Sequence, residues 1–311
     1  MAKYRYHLPQ LDGGLFLTDS GLETTLIFQE GLELPCFAAF HLLKDAAGTE
    51  VLRDYFRRHV DIAREFGTGF IFESATWRSS PDWGRALGYS STELDMANRR
   101  AIELLHELRK ARETSATPCV ISGCIGPRGD GYDPGRVMTA DEARTYHADQ
   151  LRVLVGADVD MITAITMTSV TEAVGITRAA EAEDVPVVIS FTVETDGHLP
   201  TGETLAEAIK QVDNETGSVP AYYMINCAHP SHFAEVLTNE PWIQRLRGLR
   251  CNASKKSHAE LDEAVALDAG DPETLGAEYG RLLARFPHLN VFGGCCGTDD
   301  RHIRQICLSC Q

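Results

Sequence analysis

Cys227, at the end of Tyr223-Met-Ile-Asn-Cys227, and the vicinal pair Cys295-Cys296, in Gly293-Gly-Cys-Cys-Gly297, put three thiols on two apolar, strand-like runs. Three thiolates on one ion make a zinc site with a position left open, and an open position is where a metal meets a substrate. Successive side chains on a strand point to opposite faces. Both sulfurs of the vicinal pair therefore reach one ion only if the chain turns there. Gly293, Gly294 and Gly297 permit that turn, because glycine tolerates positive φ and close backbone approach. Three buried structural cysteines are the competing reading, since free thiols are among the most buried side chains.

Composition narrows the setting. The chain has 311 residues and a formal charge of −16. That length suits one large domain or two small ones, with a core that needs no staples. The charge argues against a nucleic-acid or anionic-membrane partner, which would want a basic patch. No apolar run is long enough to span a bilayer, and the first 14 residues lack the apolar segment of a signal peptide. Nine cysteines without such a signal point to a reducing compartment, the cytoplasm. The odd count and the vicinal pair do not suit a disulfide framework.

The elements that must carry these thiols follow from alternation. Short apolar runs fall at residues 15–19, 69–73, 119–123, 161–165, 187–191, 222–226, 248–252 and 290–294, and read as buried strands. Amphipathic segments with helix-start signals lie between them. Ser169 with Glu172 and Thr139 with Glu142 have capping-box spacing, and Asp271-Pro272 fits an N-cap before a first-turn proline. Strands alternating with helices imply a parallel sheet. Eight repeats in this length predict a single (β/α)8 TIM barrel over residues 1–311; a doubly wound open sheet is the alternative. Active sites of such barrels sit at the C-terminal ends of the strands. Asp19, Glu73, Cys227 and Cys295-Cys296 all end strand runs, so the reactive residues gather at one rim.

Several motifs now carry a resemblance. Leu17-Thr-Asp19-Ser-Gly21-Leu-Glu-Thr24, Ser122-Gly-Cys-Ile-Gly126-Pro127, Ser190-Phe-Thr-Val-Glu-Thr-Asp-Gly197, Asn226-Cys227 and Gly293-Gly-Cys-Cys-Gly-Thr298 with His302-Ile303 resemble, in order, the motifs of the homocysteine S-methyltransferase family. The resemblance implies a zinc-dependent barrel that moves a methyl group to the sulfur of homocysteine, giving methionine. It implies Cys227, Cys295 and Cys296 as the zinc ligands, and Asp19, Gly21, Glu73, Thr166 and Asn226 as substrate-binding positions. The partners it implies are a small-molecule thiol acceptor and a methyl donor. The donor is expected to be a free sulfonium or betaine-type compound, because relatives that use methylfolate or cobalamin carry additional domains.

The departures from the family pattern bear on the acceptor. The family usually carries Glu-Thr-x-Pro-Ser after the fourth strand, and its Glu is expected to hold the homocysteine ammonium. Here the stretch reads Ile165-Thr-Met-Thr-Ser169. An aliphatic side chain cannot pair with an ammonium, and burying that ammonium unpaired would cost several kcal/mol, roughly. Either another acid compensates, with Glu73 and Glu23 the candidates, or the enzyme uses a different thiol or demethylates another small metabolite. Glu23 reads more readily as a solvated or helix-capping acid. Arg128-Gly-Asp130 stands where a Tyr is common, and Lys255-Lys256 beside the rim could hold a carboxylate or be a solvated loop. His229 is a possible fourth ligand. Trp77, Trp83, Phe72 and Tyr89 could face a cationic donor. Cys307 and Cys310 read as incidental thiols of a C-terminal helix. A non-catalytic zinc-binding or redox protein using the vicinal cysteines as a disulfide switch is the reading from another class.

Overall fold

All eight apolar runs become parallel strands in the computed structural model, which describes residues 2–264 and 266–311. Between β1 (Phe16–Leu17) and β2 (Gly69–Glu73) run α1 (Leu22–Phe28) and α2 (Ala46–Phe66); α3 (Pro81–Ala86) and α4 (Ser91–Arg112) lead to β3 (Cys119–Ile125). α5 (Ala140–Gly156) leads to β4 (Met161–Met167), α6 (Val170–Ala182) to β5 (Val187–Phe191), and α7 (Leu205–Thr216) to β6 (Tyr222–Asn226). The short α8 (Pro230–Phe233) precedes β7 (Leu246–Cys251), α9 (His258–Asp262) and α10 (Pro272–Arg285) precede β8 (Val291–Gly294), and α11 (Asp300–Cys310) follows it. The strands pair in chain order, and β8 pairs back onto β1. The sheet is thus a closed barrel, and the open-sheet alternative is excluded.

Local signals set most helix ends. Thr139 accepts from the Glu142 N–H and Glu142 reaches back, the predicted capping box of α5. Asp271 caps α10 by accepting from the Thr274 N–H, with Pro272 in the first turn. Ser169 precedes α6 without a side-chain cap, contrary to expectation. Glu172 instead accepts from the Arg128 N–H at 2.7 Å and meets the His147 ring at 2.8 Å. Two tertiary partners outcompete one local bond there.

The two-residue period of the strands sorts side chains between two cores. Phe70, Phe72, Ile121, Ile162 and Ile225 pack outward among the helices. Phe16, Ile71, Val120, Met161, Val188, Tyr222 and Val291 form a separate apolar cluster that fills the base of the barrel. One period further along the strands, five of the inward positions turn polar, Glu73, Ser122, Thr163, Ser190 and Arg250, all buried, while Met224 of β6 stays apolar. A further step brings Cys124, Ile165, Asn226 and Cys295. The barrel therefore has an apolar floor, a polar middle layer and a sulfur-bearing mouth.

Candidate metal centre

The two sulfur-bearing turns are built differently. Cys227 follows β6 with φ 54°, an uncommon conformation for a side-chain-bearing residue. Its N–H donates to the Arg250 carbonyl at 3.1 Å, and its own carbonyl accepts from Asn252 Nδ2 at 2.9 Å. Cys295 follows β8, where its N–H donates to the Cys251 carbonyl at 2.8 Å and its carbonyl accepts from Thr298 Oγ1 at 2.7 Å. Only Gly297 of the three flanking glycines has positive φ, at 80°. Gly293 and Gly294 serve close approach instead: an added Cβ would overlap Thr18 Oγ1 or Thr298 Oγ1. Gly21 is constrained likewise, against the Cys295 carbonyl.

These turns bring the sulfurs of Cys227, Cys295 and Cys296 within 4.8 Å of one another. Among the described residues no other group of three or more His, Cys, Asp or Glu side chains is so gathered. The sulfurs of Cys227 and Cys295 are in direct contact across the barrel. Tyr132 reaches the same place, its hydroxyl 3.4 Å from the Cys296 sulfur and its ring stacked on His258 at 3.9 Å. His258 is held by the Cys227 carbonyl at 2.8 Å and Glu194 at 3.1 Å. Three thiols with oxygen and nitrogen neighbours outside them are a donor set that suits zinc.

The sulfurs stand at the divide between two cavities. The inner one, about 80 Å³, is lined by Asp19, Glu23, Glu73, Ile165 and Arg250 among others. The outer one, about 370 Å³, has walls from Phe28, Tyr132, Leu261 and Leu267, with Arg78, Asp130 and Asp268. Thr24, Phe37, Trp77, Thr166, Cys227 and Cys296 border both.

Charge in the inner cavity is arranged around Arg250. Its Nη2 pairs with Asp19 at 3.0 Å and donates to the Ser20 carbonyl at 3.3 Å, while Nε donates to the Gly294 carbonyl at 3.2 Å. Asp19 also accepts from the Tyr55 hydroxyl at 3.1 Å. Burial pushes the Glu73 carboxyl up to about 7, against the pull of Arg250. Burial does the same to Glu23, which is partly exposed, lines this cavity and lies in the first turn of α1, where the sequence suggested a solvated or helix-capping acid. Arg250 itself escaped the sequence reading. Its signal was a lone charged residue inside the run Gly248-Leu-Arg-Cys-Asn252, which a buried strand does not carry without a partner.

Thr166 borders both cavities with φ 64°. Asn226 is fully buried and lines neither; it braces Thr166 and accepts from Ser190 Oγ at 2.6 Å. Other candidates lie elsewhere. His229 bonds Ser231 at 2.8 Å and faces Glu278 at 3.3 Å, outside the sulfur group. Lys255 and Lys256 are exposed and line neither cavity. Arg128 pairs with Asp82 at 2.8 Å and lies over the Tyr146 ring. Of the four aromatics, Trp77 reaches the cavities; Trp83 lies under Arg78, Phe72 packs on Phe56 and Phe70, and Tyr89 packs on Phe40. Cys307 and Cys310 are buried in α11, and burial pushes both thiols up to about 12, which leaves them inert.

A family model described as homocysteine S-methyltransferase matches residues 16–310. The chain is 23% identical to homocysteine S-methyltransferase 3 of Arabidopsis thaliana, over 94% of this chain and 89% of that protein. It is 26% identical to homocysteine S-methyltransferase YbgG of Bacillus subtilis, over 83% of this chain and 81% of the other. Its fold matches the metallated form of the homocysteine methyltransferase MmuM from Escherichia coli with a TM-score of 0.74 at 18% identity, covering 97% and 98% of the two chains. Among the described residues no helix is long and apolar enough to cross a membrane.

Proposed function

Because the chain belongs to the homocysteine S-methyltransferase family, we propose that it transfers a methyl group from a small sulfonium or betaine-type donor to the sulfur of homocysteine, giving methionine. The observation that carries this reading is the position of Cys227, Cys295 and Cys296: three sulfurs within 4.8 Å, at the divide between an inner and an outer cavity. The three would hold a zinc ion as thiolates, in the reduced chain. When bound, that ion stabilises the acceptor sulfur as thiolate at neutral pH, where a free thiol is a poor nucleophile.

The chain's residues then do the positioning. The inner cavity takes the acceptor, with its sulfur toward the cysteines and its charged end toward Glu73, Glu23 and Arg250. The outer cavity takes the donor, whose cationic centre suits the faces of Trp77 and Tyr132 and the carboxylates of Asp130 and Asp268. Arg78 stacks on Trp77 at 4.7 Å and pairs with Asp130 at 3.2 Å; it would meet the carboxylate that such donors carry. The thiolate electron pair forms the new S–CH3 bond as the donor's bond to that carbon breaks and its electrons leave with the donor. No side-chain base acts at the carbon. Holding both reactants in line across one divide lowers the barrier through proximity and orientation. One barrel over residues 1–311 houses both substrates, and a three-thiolate site supports a cytoplasmic, reducing location.

Ile165 in the inner wall favours a second reading, a thiol acceptor without an amino group. The deciding measurement is titration of the cobalt-substituted, reduced protein with homocysteine, following the sulfur-to-cobalt charge-transfer band. Growth of the band, with methionine formed once a donor is added, is the expected result. A protein that holds one metal per chain yet shows no band with homocysteine would sink this acceptor and leave the second reading.

A further inference from the structure

Glu73 is a buried acid whose carboxylate oxygens make no hydrogen bond. It ends β2, points into the barrel and is 4% exposed. The hydroxyls nearest it, of Ser122 and Thr163, bond each other at 2.7 Å. Arg250 is the one cation of the layer; its Nη2 and Nε serve Asp19, the Ser20 carbonyl and the Gly294 carbonyl, and its charge pulls on Glu73 without a hydrogen bond between them. Buried polar groups in native proteins are almost always satisfied, and an unpaired buried carboxylate is destabilising. A residue that breaks this rule while lining a cavity next to a reactive centre is there for something that enters the cavity.

Ile165 lines the same cavity at the position where an acid is expected from the family pattern. It is 7% exposed and apolar. One wall of the cavity is apolar at Ile165, and another carries an acid that makes no hydrogen bond. Glu23 is the rival. It lies in the first turn of α1, where its carboxylate is met by its own backbone N–H and by the positive end of the helix. Glu73 has the charge of Arg250 and the hydroxyls of Ser122 and Thr163 nearby, but no hydrogen bond to either oxygen.

We infer that Glu73 receives the ammonium group of an amino-acid thiol in the inner cavity, doing from β2 what no side chain can do at Ile165. This inference rests on the proposed use of a zwitterionic thiol acceptor. It adds that acceptor selectivity in this chain resides one layer deeper in the barrel, on a different strand. An ammonium there supplies the partner that the carboxylate lacks, so the same contact that selects the acceptor also relieves the fold.

The test compares homocysteine with 4-mercaptobutanoate, the same thiol without its amino group, by charge-transfer titration of the cobalt protein. The wild-type chain is expected to bind homocysteine roughly 10- to 100-fold more tightly, the range for a hydrogen bond to a charged group. In Glu73→Gln that ratio collapses toward one, and in the double variant Glu73→Gln/Ile165→Glu it recovers. A merely structural role would move the melting temperature and not the ratio. An unchanged ratio in Glu73→Gln overturns the inference while leaving homocysteine as acceptor. Wild-type protein that binds 4-mercaptobutanoate and not homocysteine overturns the acceptor itself, and needs no variant to fold.

Discussion

Asn226 and Thr166 bond each other in both directions across the barrel: the Thr166 N–H donates to Asn226 Oδ1 at 2.8 Å, and Asn226 Nδ2 donates to Thr166 Oγ1 at 2.8 Å. This pair fixes Thr166 in a left-handed conformation that a β-branched residue avoids. It also sets Thr166 Oγ1 3.9 Å from the Cys227 sulfur and Asn226 Nδ2 4.0 Å from that of Cys295. The ladder between β4 and β5 shifts register at the same point, between Ala164 and Met167.

Asn226→Ala removes both bonds and the one from Ser190 at once. Each buried bond lost with its partner left unsatisfied costs about 1–3 kcal/mol, so denaturant unfolding should show a loss of about 3 kcal/mol or more. Metal affinity should fall with it, because the turn carrying Cys227 loses its brace. Ser190→Ala, which removes one bond, should cost about 1 kcal/mol and keep the metal.

Cys296→Ser and Cys227→Ser should each lose the bound metal, read as metal per chain by elemental analysis, and lose methionine formation with it. Wild-type protein treated with a thiol oxidant should fail to load metal until it is reduced, since two of the three donors are then paired with each other. Cys307→Ser and Cys310→Ser should change neither readout.

The Glu73 carboxyl gives a pH signature. Burial raises it from the ordinary 4.5 to about 7 in the folded chain. The folded state therefore holds a proton that the unfolded state releases between those values, and stability falls as pH rises through that window. Glu73→Gln is isosteric and uncharged. Its melting temperature should match wild type near pH 4.5 and exceed it above pH 7, by a margin worth on the order of 2–3 kcal/mol. A variant that is less stable at pH 8 would refute this account.

Asp299 behaves in the opposite sense. Burial alone would raise its carboxyl, but bonds from His302, Arg301 and Gln29 hold it well below the usual carboxylate range. Its contribution is complete above about 3.8, its ordinary value, and is lost as pH falls through the lower folded value. Asp299→Ala should cost about 1–2 kcal/mol at pH 7, as for a lost helix cap, and less in acid. Because α11 starts there, directly after the Cys295-Cys296 turn, chemical denaturation at both pH values is the measurement.

The sequence by itself determined the barrel and the rim. Each strand run has its own apolar pattern, and the first, second, sixth and seventh end on Asp19, Glu73, Asn226 and Asn252, so burial and side-chain face are legible within five residues. The parity of β2 likewise turns Glu73 inward with Ile71, without reference to any other strand. What the tertiary structure decided are meetings between distant residues. Arg250 finds Asp19, Tyr132 reaches Cys296, and Glu172 gives up a helix cap for Arg128 and His147. Gly293 and Gly294 turn out to make room for Thr18 and Thr298, not to bend the chain. Local pattern reports only whether a side chain is buried; which partner meets it is fixed when β8 closes on β1 and brings the two ends of the chain onto one ring.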